Sequence, residues 1–249
     1  DSLTLGRLGS TAPSAFATLG STEAGIRYCS SKVSSNHKEL VMNQELPEDL
    51  KRCVAFHGHL CPGLIYGYRV AKEAVQRLGV DRSQDEEVVA ISENDTCAVD
   101  ALQVLLGTTA GKGNLIIKNY GKNAFTVLNR SDKRAFRFSR KDYYRYDGEN
   151  QDEFHRLEAA VASGTATQEQ QTRQRLLKSL DLISKPFDEV FHTKEVKLPE
   201  PPYAPLAPSV ACTKCGEMTM STRMIETENG TRLCIRCAEE EGEEGSTRT

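Results

Sequence analysis

Two pairs of cysteines near the carboxyl end of the chain have the spacing of a metal site. Each pair is a C-x-x-C motif, and the four residues are Cys212, Cys215, Cys234 and Cys237. Zinc prefers four soft ligands in a tetrahedron, and each motif supplies two of them. Four thiolates leave no open coordination position, so the spacing predicts one structural Zn²⁺ rather than a catalytic one. The alternative, two disulfides, is more typical of short secreted chains.

A second concentration of reactive side chains lies in residues 56–63, which read FHGHLCPG. His59 and Cys61 are two residues apart, so both could face one side of an extended turn. Pro62 and Gly63 open the next predicted helix, and the positive end of that helix would favour the Cys61 thiolate. Because the thiolate is the form that ligates metals and attacks carbon, the segment predicts a metal site or a nucleophile.

A third group of functional side chains follows a predicted buried strand and includes Glu93, Asp95 and Cys97. Cys97 lies at the start of another predicted helix, at a strand-to-helix corner. If the two corners meet in space, His59, Cys61 and Cys97 form a set of three N and S ligands. Three protein ligands with an open position are typical of a reactive metal site, here a second transition metal in the core.

The same side chains are the candidate catalytic residues of a metal- or thiol-dependent enzyme. Cys61 or Cys97 would act as nucleophile or ligand, and His59 as base or ligand. Glu93 or Asp95 would orient the reacting groups.

Two lysines, one histidine and one further cysteine near these motifs are weaker candidates for the site. In the enzyme hypothesis, Lys112 or Lys122 would bind an anionic substrate. His57 is explained at least as well by packing or hydrogen bonding as by metal binding. Cys53 lies on the apolar face of its predicted helix and is interpreted as a small hydrophobe.

The helices and strands that must position these residues follow an order that predicts an α+β fold, with helices packed on a mainly antiparallel sheet. Apolar periodicity predicts helices over 47–57, 62–78, 98–106, 152–162 and 167–184. Short apolar runs predict strands at 88–91, 115–117, 124–128 and 135–138, the last three as a meander. Asn229-Gly230 is a hairpin-turn signal between the cysteine pairs, which favours a small zinc-ribbon or treble-clef module.

Composition divides the chain into five segments. Residues 1–36 are rich in Ser and predict a disordered arm that contains Cys29, with a transit segment or a truncated start as alternatives. The core covers 37–196, and a stiff, proline-rich linker covers 197–210. The four-cysteine finger covers 211–238, and 239–249 is an acidic tail for which we expect disorder.

Charge and hydropathy exclude two classes of protein. No apolar run approaches the roughly 18 residues of a membrane span. The formal net charge of −3 excludes binding to nucleic acid by bulk charge, although the finger could still form a local contact. The cysteine pairs indicate a reducing compartment, so we expect a cytoplasmic protein.

Five short motifs together resemble a known family. In chain order they are FHGHxCPG at 56–63, GYR at 67–69, ExDxCxxDAxQ at 93–103, GKGNL at 111–115 and YGKxA at 120–124. Over about residues 45–140 they resemble the FmdE family, which is named after a component of molybdenum or tungsten formylmethanofuran dehydrogenase. The finger resembles a treble-clef module that some members append.

The resemblance implies an α+β core that forms intertwined homodimers. It also implies a metal or active-site pocket around His59, Cys61 and Cys97. Many members have a cysteine where this chain has Thr108, and a hydroxyl is a poor substitute for a thiolate ligand. The family is encoded beside the dehydrogenase of methanogenesis, yet it also occurs in organisms that make no methane.

Three hypotheses about function follow. The first is a zinc-containing accessory protein that assists a molybdenum or tungsten enzyme complex in metal handling, assembly or regulation. The second is the metal- or thiol-dependent enzyme. The third is a nucleic-acid-binding regulator acting through the finger. The sequence shows no complete set of catalytic residues, so we favour the first hypothesis, the accessory protein.

Overall fold

The computed structural model describes residues 46–246, with the side chains of residues 46–241. The predictions made for residues 1–36, including the one for Cys29, lie outside this range. Within it the chain has seven α-helices and nine strands. The helices are α1 (Glu48–His57), α2 (Pro62–Leu78), α3 (Ala98–Leu106), α4 (Gln151–Ala162), α5 (Gln168–Ser184), α6 (Phe187–Val190) and α7 (Ile235–Ser246). The strands are β1 (Val88–Ser92), β2 (Leu115–Ile117), β3 (Ala124–Asn129), β4 (Ala135–Arg140), β5 (Phe191–Glu195), β6 (Ser209–Ala211), β7 (Met218–Met220), β8 (Met224–Glu226) and β9 (Arg232–Cys234).

The main sheet has five strands in the order β2-β1-β3-β4-β5. Three of its four pairings are antiparallel, and only β1 and β2 run parallel. The α+β fold class, with helices on a mainly antiparallel sheet, is therefore confirmed. The predicted meander is wrong in one respect, because β1 lies between β2 and β3. Parallel strands need a long crossover connection, and α3 supplies it between β1 and β2.

The core lies between this sheet and the helices, and α2 is its centre. Ten of the seventeen residues of α2 are buried. Helix α3 crosses α2 at Gly67, where a Cβ atom would lie 2.0 Å from the carbonyl oxygen of Ala98. Only glycine allows this approach, since any side chain would collide with the backbone of α3. The contact brings the amino-terminal ends of α2 and α3 together.

The proline-rich segment is held against the core instead of spanning free space. It contains neither helix nor strand before Ser209, in keeping with an extended conformation. The buried guanidinium of Arg130 donates hydrogen bonds to the carbonyl oxygens of Pro201 and Pro202, and pairs with Glu200 at 2.9 Å. The same guanidinium stacks on the Tyr203 ring, 3.9 Å from its centroid. Arg130 therefore fastens a segment that composition alone describes as a linker.

The carboxyl-terminal module consists of two hairpins, β6–β7 and β8–β9, followed by α7. Gly230 has φ of 73° in the turn between β8 and β9, as the Asn229-Gly230 signal predicts. Helix α7 continues through residues 239–246, for which the sequence predicts disorder. Arg236 pairs with Glu240 at 3.1 Å and Lys214 lies 3.8 Å from Glu240, so basic side chains neutralise the first acids of the tail. No helix in residues 46–246 is both long and apolar enough to cross a membrane.

Candidate metal centres

The four finger cysteines converge on one point. One Sγ atom from each of Cys212, Cys215, Cys234 and Cys237 lies within 4.8 Å of all the others. The Sγ atoms of Cys215 and Cys234 are 4.0 Å apart. A tetrahedral zinc site with Zn–S bonds of about 2.3 Å requires S···S separations of roughly 3.8 Å. The thiols therefore fit a tetrahedral metal ion with only small adjustments.

Backbone amides of the finger already point at the sulfur of Cys212. The amide of Cys234 donates to this Sγ at 3.3 Å. Hydrogen bonds from the amides of Cys215 and Cys234 lower the pKa of Cys212 to about 6. Because amides stabilise a thiolate, which is the form that binds metal, these two hydrogen bonds favour the metal-binding form of Cys212.

The core contains a second convergence, of His57, Cys61 and Cys97. One ligand atom from each lies within 4.8 Å of the other two, and Nε2 of His57 is 3.7 Å from Sγ of Cys61. The sequence places His59 in this set, whereas the structure places His57 there. The ring of His59 instead lies against that of His57, with 4.5 Å between centroids. The reason is that α1 continues through His57, so its last turn and not the following loop faces Cys61.

Asp100 orients the His57 ring. Its Oδ2 atom lies 2.7 Å from Nδ1 of His57, and Nε2 of Gln103 donates to its Oδ1 atom at 3.2 Å. A carboxylate on one ring nitrogen leaves the other directed at the ligand position, the usual arrangement around a metal-bound histidine. The residue type alone did not indicate this role for Asp100. The spacing could have done so, because residues three apart share a face of a helix, and Cys97 and Asp100 have that spacing.

Gly63 permits the two core cysteines to approach each other. A Cβ atom at this position would lie 3.0 Å from Cβ and 3.5 Å from Sγ of Cys97, and 3.8 Å from Sγ of Cys61. An approach of 3.0 Å is tighter than nearly all Cβ contacts in proteins, so a larger residue would push the thiols apart. The glycine of the C-P-G motif is thus part of the geometry of the site.

Burial opposes the expected effect of the helix end on Cys61. Cys61 caps α2 and accepts a hydrogen bond from the amide of Leu64 at 3.4 Å. Desolvation nevertheless raises the pKa of Cys61 to about 11. The amides of Leu64 and Gly63 at the helix end lower the pKa of Cys61, as the sequence predicts, but burial outweighs them. A bound cation would supply the opposite charge that a buried thiolate needs.

Other residues named by the sequence lie away from this cluster. Glu93 forms a two-point ion pair with Arg137, at 2.7 Å and 3.0 Å, and this contact lowers the pKa of Glu93. Asp95 accepts a hydrogen bond from Asn119 at 2.9 Å. Nζ of Lys112 donates to three main-chain carbonyls of residues 83–85. None of these three side chains orients His57, and the Lys112 ammonium is used to fix a loop.

Thr108 lies at the opposite end of α3 from Cys97. The helix has nine residues, so its length of about 13 Å separates the two positions. Thr108 is fully buried and its hydroxyl donates to the carbonyl of Leu102 at 3.4 Å. Within one chain, a cysteine at this position could not join His57, Cys61 and Cys97. Within a single chain, the implied loss of a ligand at Thr108 therefore does not affect the core cluster.

A family model described as FmdE, molybdenum formylmethanofuran dehydrogenase operon, matches residues 56–192 of this chain. That range is more than half of the chain. This protein belongs to the FmdE family. All members of the core cluster and its supporting residues, from His57 to Gln103, lie inside the matched range. The finger cysteines lie beyond it.

Two similar proteins extend the comparison. The chain is 31% identical over 202 residues to an Archaeoglobus fulgidus protein named "Probable S-adenosyl-L-methionine-binding protein". The match covers 76% of this chain and 52% of that protein, so the chain spans about half the length of this curated relative. The crystal structure of a tungsten formylmethanofuran dehydrogenase FmdE-like protein from Syntrophus aciditrophicus is also similar. It aligns with a TM-score of 0.50 at 23% identity, over 78% of this chain and 91% of that one, and supports the fold alone.

Proposed function

We propose that this protein is a two-centre metal-binding accessory protein of molybdenum- or tungsten-dependent formylmethanofuran dehydrogenase-type redox systems. The finger holds one structural Zn²⁺ on its four cysteines. The core holds a second transition metal on His57, Cys61 and Cys97. The observation that carries the proposal is the convergence of these three ligand atoms inside the range matched by the family.

The donor set of the core centre limits which metals fit. Two thiolates and an imidazole suit zinc, copper(I) or iron, whereas magnesium, calcium and manganese prefer oxygen ligands. Three protein ligands leave a coordination position open. An open position on an accessory protein is suited to accepting and passing on a metal, because an incoming ligand can bind before a protein ligand leaves. Metal handling is therefore our preferred role.

The second candidate is a metal-dependent enzyme, and one contact favours it. Asp100 holds Nδ1 of His57 and is itself held by Gln103, a degree of orientation that a simple storage site does not need. A metal with an open position supplies Lewis-acid polarisation of a bound oxygen. In this interpretation Asp100 fixes the tautomer of His57, and Cys61 and Cys97 anchor the site.

Partners are assigned from the family and from surface charge. The resemblance supports a homodimer and a protein partner in a molybdenum or tungsten enzyme complex. Nucleic-acid binding through the finger is less favoured, because Lys214 and Arg236 are already paired with Glu240. The described cysteines are all free, in keeping with a cytoplasmic location. The S-adenosylmethionine binding named for the archaeal relative is not assigned to this chain, since the match covers half of that protein.

Elemental analysis of the purified full chain tests the proposal. We expect about two metal ions per chain, and loss of one in Cys61→Ser or Cys97→Ser. His57→Ala should lose the core metal and His59→Ala should retain it, which separates the two imidazoles. Cys53→Ala is the matched control, since this buried thiol lies outside both clusters. A single metal that survives all the core substitutions would overturn the two-centre proposal.

The two candidate roles differ in how fast the core metal exchanges. A metal-handling protein should release the core metal quickly to a competing chelator and keep the finger metal. An enzyme should retain both on the time scale of turnover. Slow exchange at the core, together with no transfer of metal to a partner enzyme, would favour the catalytic candidate.

A further inference from the structure

The two core cysteines lie close enough to react with each other. Cys61 directly precedes α2 and Cys97 directly precedes α3. Both are free thiols, and their Sγ atoms lie within 4.8 Å of each other. A Cβ atom at Gly63 would lie 3.5 Å from Sγ of Cys97 and 3.8 Å from Sγ of Cys61, so the two sulfurs face the same small space. Two thiols in this arrangement are suited to a shared metal ion and also to a disulfide.

Little stands between the two sulfurs and a covalent bond. A disulfide requires Sγ atoms about 2.05 Å apart. Rotation about the two Cα–Cβ bonds can close the remaining gap, because Gly63 places no side chain beside the sulfurs. The rotation of Cys61 would cost the hydrogen bond from the amide of Leu64, which at 3.4 Å is long. The backbone crossing of α2 and α3 already brings the two cysteines together.

The two thiols differ in exposure, and this difference sets an order of reaction. Cys97 is partly exposed, whereas Cys61 is 6% exposed. A small disulfide in solution can therefore reach Cys97 first and form a mixed disulfide with it. Cys61, buried beside it, is then placed to resolve the mixed disulfide. An accessible cysteine next to a resolving cysteine is typical of redox-sensitive sites.

A disulfide here would remove two of the three ligands of the core centre. His57 would be left as the single ligand, and one imidazole is not enough to hold a transition metal ion. A bound metal would in turn occupy both sulfurs and block their reaction. Metal binding and disulfide formation are therefore mutually exclusive at the core. The finger differs, because a closed set of four thiolates would protect its own sulfurs.

We propose that Cys61 and Cys97 form a redox switch, in which a reversible disulfide between them closes the core centre to metal. This inference rests on the proposed function, since the metal it regulates is the core metal. The oxidant is a small-molecule disulfide such as oxidised glutathione. Sγ of Cys97 attacks it and displaces one thiol, and Sγ of Cys61 then attacks the sulfur of Cys97 and displaces the second. Two protein thiols are oxidised, the reagent disulfide is reduced, and the two protons end on the two released thiols.

Peptide mapping of the full chain after incubation with oxidised glutathione tests the switch. Trypsin leaves Cys61 in peptide 53–69 and Cys97 in peptide 83–112, so the disulfide links these two peptides. Cys53→Ala is the matched control, because Cys53 lies in the same peptide as Cys61. We expect the link to persist in Cys53→Ala and to disappear in Cys61→Ser. Non-reducing electrophoresis should show that the link lies within one chain.

Metal content gives the second readout. The oxidised protein should hold one metal ion fewer than the reduced protein, and reduction followed by added Zn²⁺ should restore it. Added Zn²⁺ should slow formation of the link about tenfold in the wild-type core. His57→Ala keeps both thiols but lacks the imidazole ligand, so the same Zn²⁺ should slow the reaction much less. Every protein in the series carries Cys29→Ser, which removes a thiol outside the described residues.

Three outcomes would overturn the switch. They are the absence of the link at oxidant concentrations that oxidise a free peptide dithiol, oxidation of the finger cysteines before the core pair, and a link that forms only between chains. A core that binds metal but never forms the link overturns the switch alone. A core that forms the link but never binds metal overturns the proposed function, and with it the role of the disulfide in metal release.

Discussion

The contact between Asp100 and His57 is the residue-scale feature on which the core centre depends. A histidine near two thiols binds metal well only if the correct nitrogen faces them. The carboxylate on Nδ1 settles that orientation, and Gln103 settles the position of the carboxylate. Gly63 contributes at the same scale, since the absence of a side chain keeps the two thiols close.

Asp100→Asn should weaken metal binding at the core by about 10- to 100-fold, because the amide orients the imidazole less well. Competition with a chromogenic chelator measures the affinity. Asp95→Asn is the matched control, since Asp95 contacts Asn119 and not the cluster. Equal affinities for the two variants would show that Asp100 plays no supporting role.

Gly63→Ala should lower core metal occupancy and destabilise the protein by roughly 1–3 kcal/mol, because the new Cβ meets Cys97. Metal analysis and urea unfolding measure the two effects. Gly111→Ala is the control, as nothing lies within 4 Å of the added Cβ there. Retention of full core occupancy in Gly63→Ala would contradict this role of the glycine.

At the scale of elements, the chain uses two different ways to assemble a site. The finger consists of short hairpins whose small apolar cluster includes three of the four cysteines themselves. The core centre is instead built where α1, α2 and α3 meet on an extensive hydrophobic core. Metal should therefore be part of the folding of the finger, whereas the core should fold without it.

Removal of metal with a strong chelator should unfold the finger and leave the core folded. Limited proteolysis followed by mass spectrometry should find new cleavage sites within 211–238 and protection of 48–195. Cys212→Ser should show the same new cleavage sites without chelator, whereas Cys61→Ser should show none of them. Simultaneous loss of protection in both regions would mean that they unfold as one unit.

The ion pair of Glu93 with Arg137 joins the corner after β1 to β4 and predicts a pH dependence. The pair lowers the pKa of Glu93. The ion pair stabilises the folded state above the unfolded-state pKa of Glu93, about 4.3. This stabilisation is lost as the pH falls through the lower folded-state pKa. Glu93→Gln should cost about 1 kcal/mol at neutral pH and progressively less below pH ~4. Urea unfolding of both proteins across this pH range measures the difference in the free energy of unfolding. A difference that does not change with pH would exclude a titrating ion pair.

At the scale of the whole molecule, the extended segment after β5 covers the second face of the sheet. Val196 and Leu198 pack on the apolar cluster formed by Val89, Ile91, Leu128 and Ala135. Arg130 then holds residues 200–203. The path of the chain from core to finger is thus set by one buried arginine and a few apolar contacts.

Arg130→Ala should release this segment. Arg130 is buried and also lies 3.6 Å from Glu86, so its loss leaves two carboxylates without their partner. We expect destabilisation of about 3 kcal/mol and faster cleavage within 199–208. Arg134→Ala is the control, because its ion pair with Glu195 is exposed. Equal cleavage rates in the two variants would contradict an anchoring role.

Local features of the sequence determined much of this protein. The cysteine spacing and the Asn-Gly turn predicted that the four finger cysteines converge, because a knuckle and a hairpin are formed by neighbours in the chain. Apolar periodicity located α2 and α3 because helical burial repeats within a few residues. The motifs around Cys61 and Cys97 identified the family, and the α+β class followed from the order of the elements.

Tertiary structure alone decided the rest. Whether His57 or His59 faces the thiols depends on where α1 ends and how α3 crosses α2. Asp100 became a supporting residue because that crossing brings it to His57, 43 positions earlier in the chain. Strand β1 separates β2 from β3 because a crossover helix allows parallel pairing, which no local pattern records. Distant contacts are set by the packing of the whole core, so spacing along the chain could not predict them.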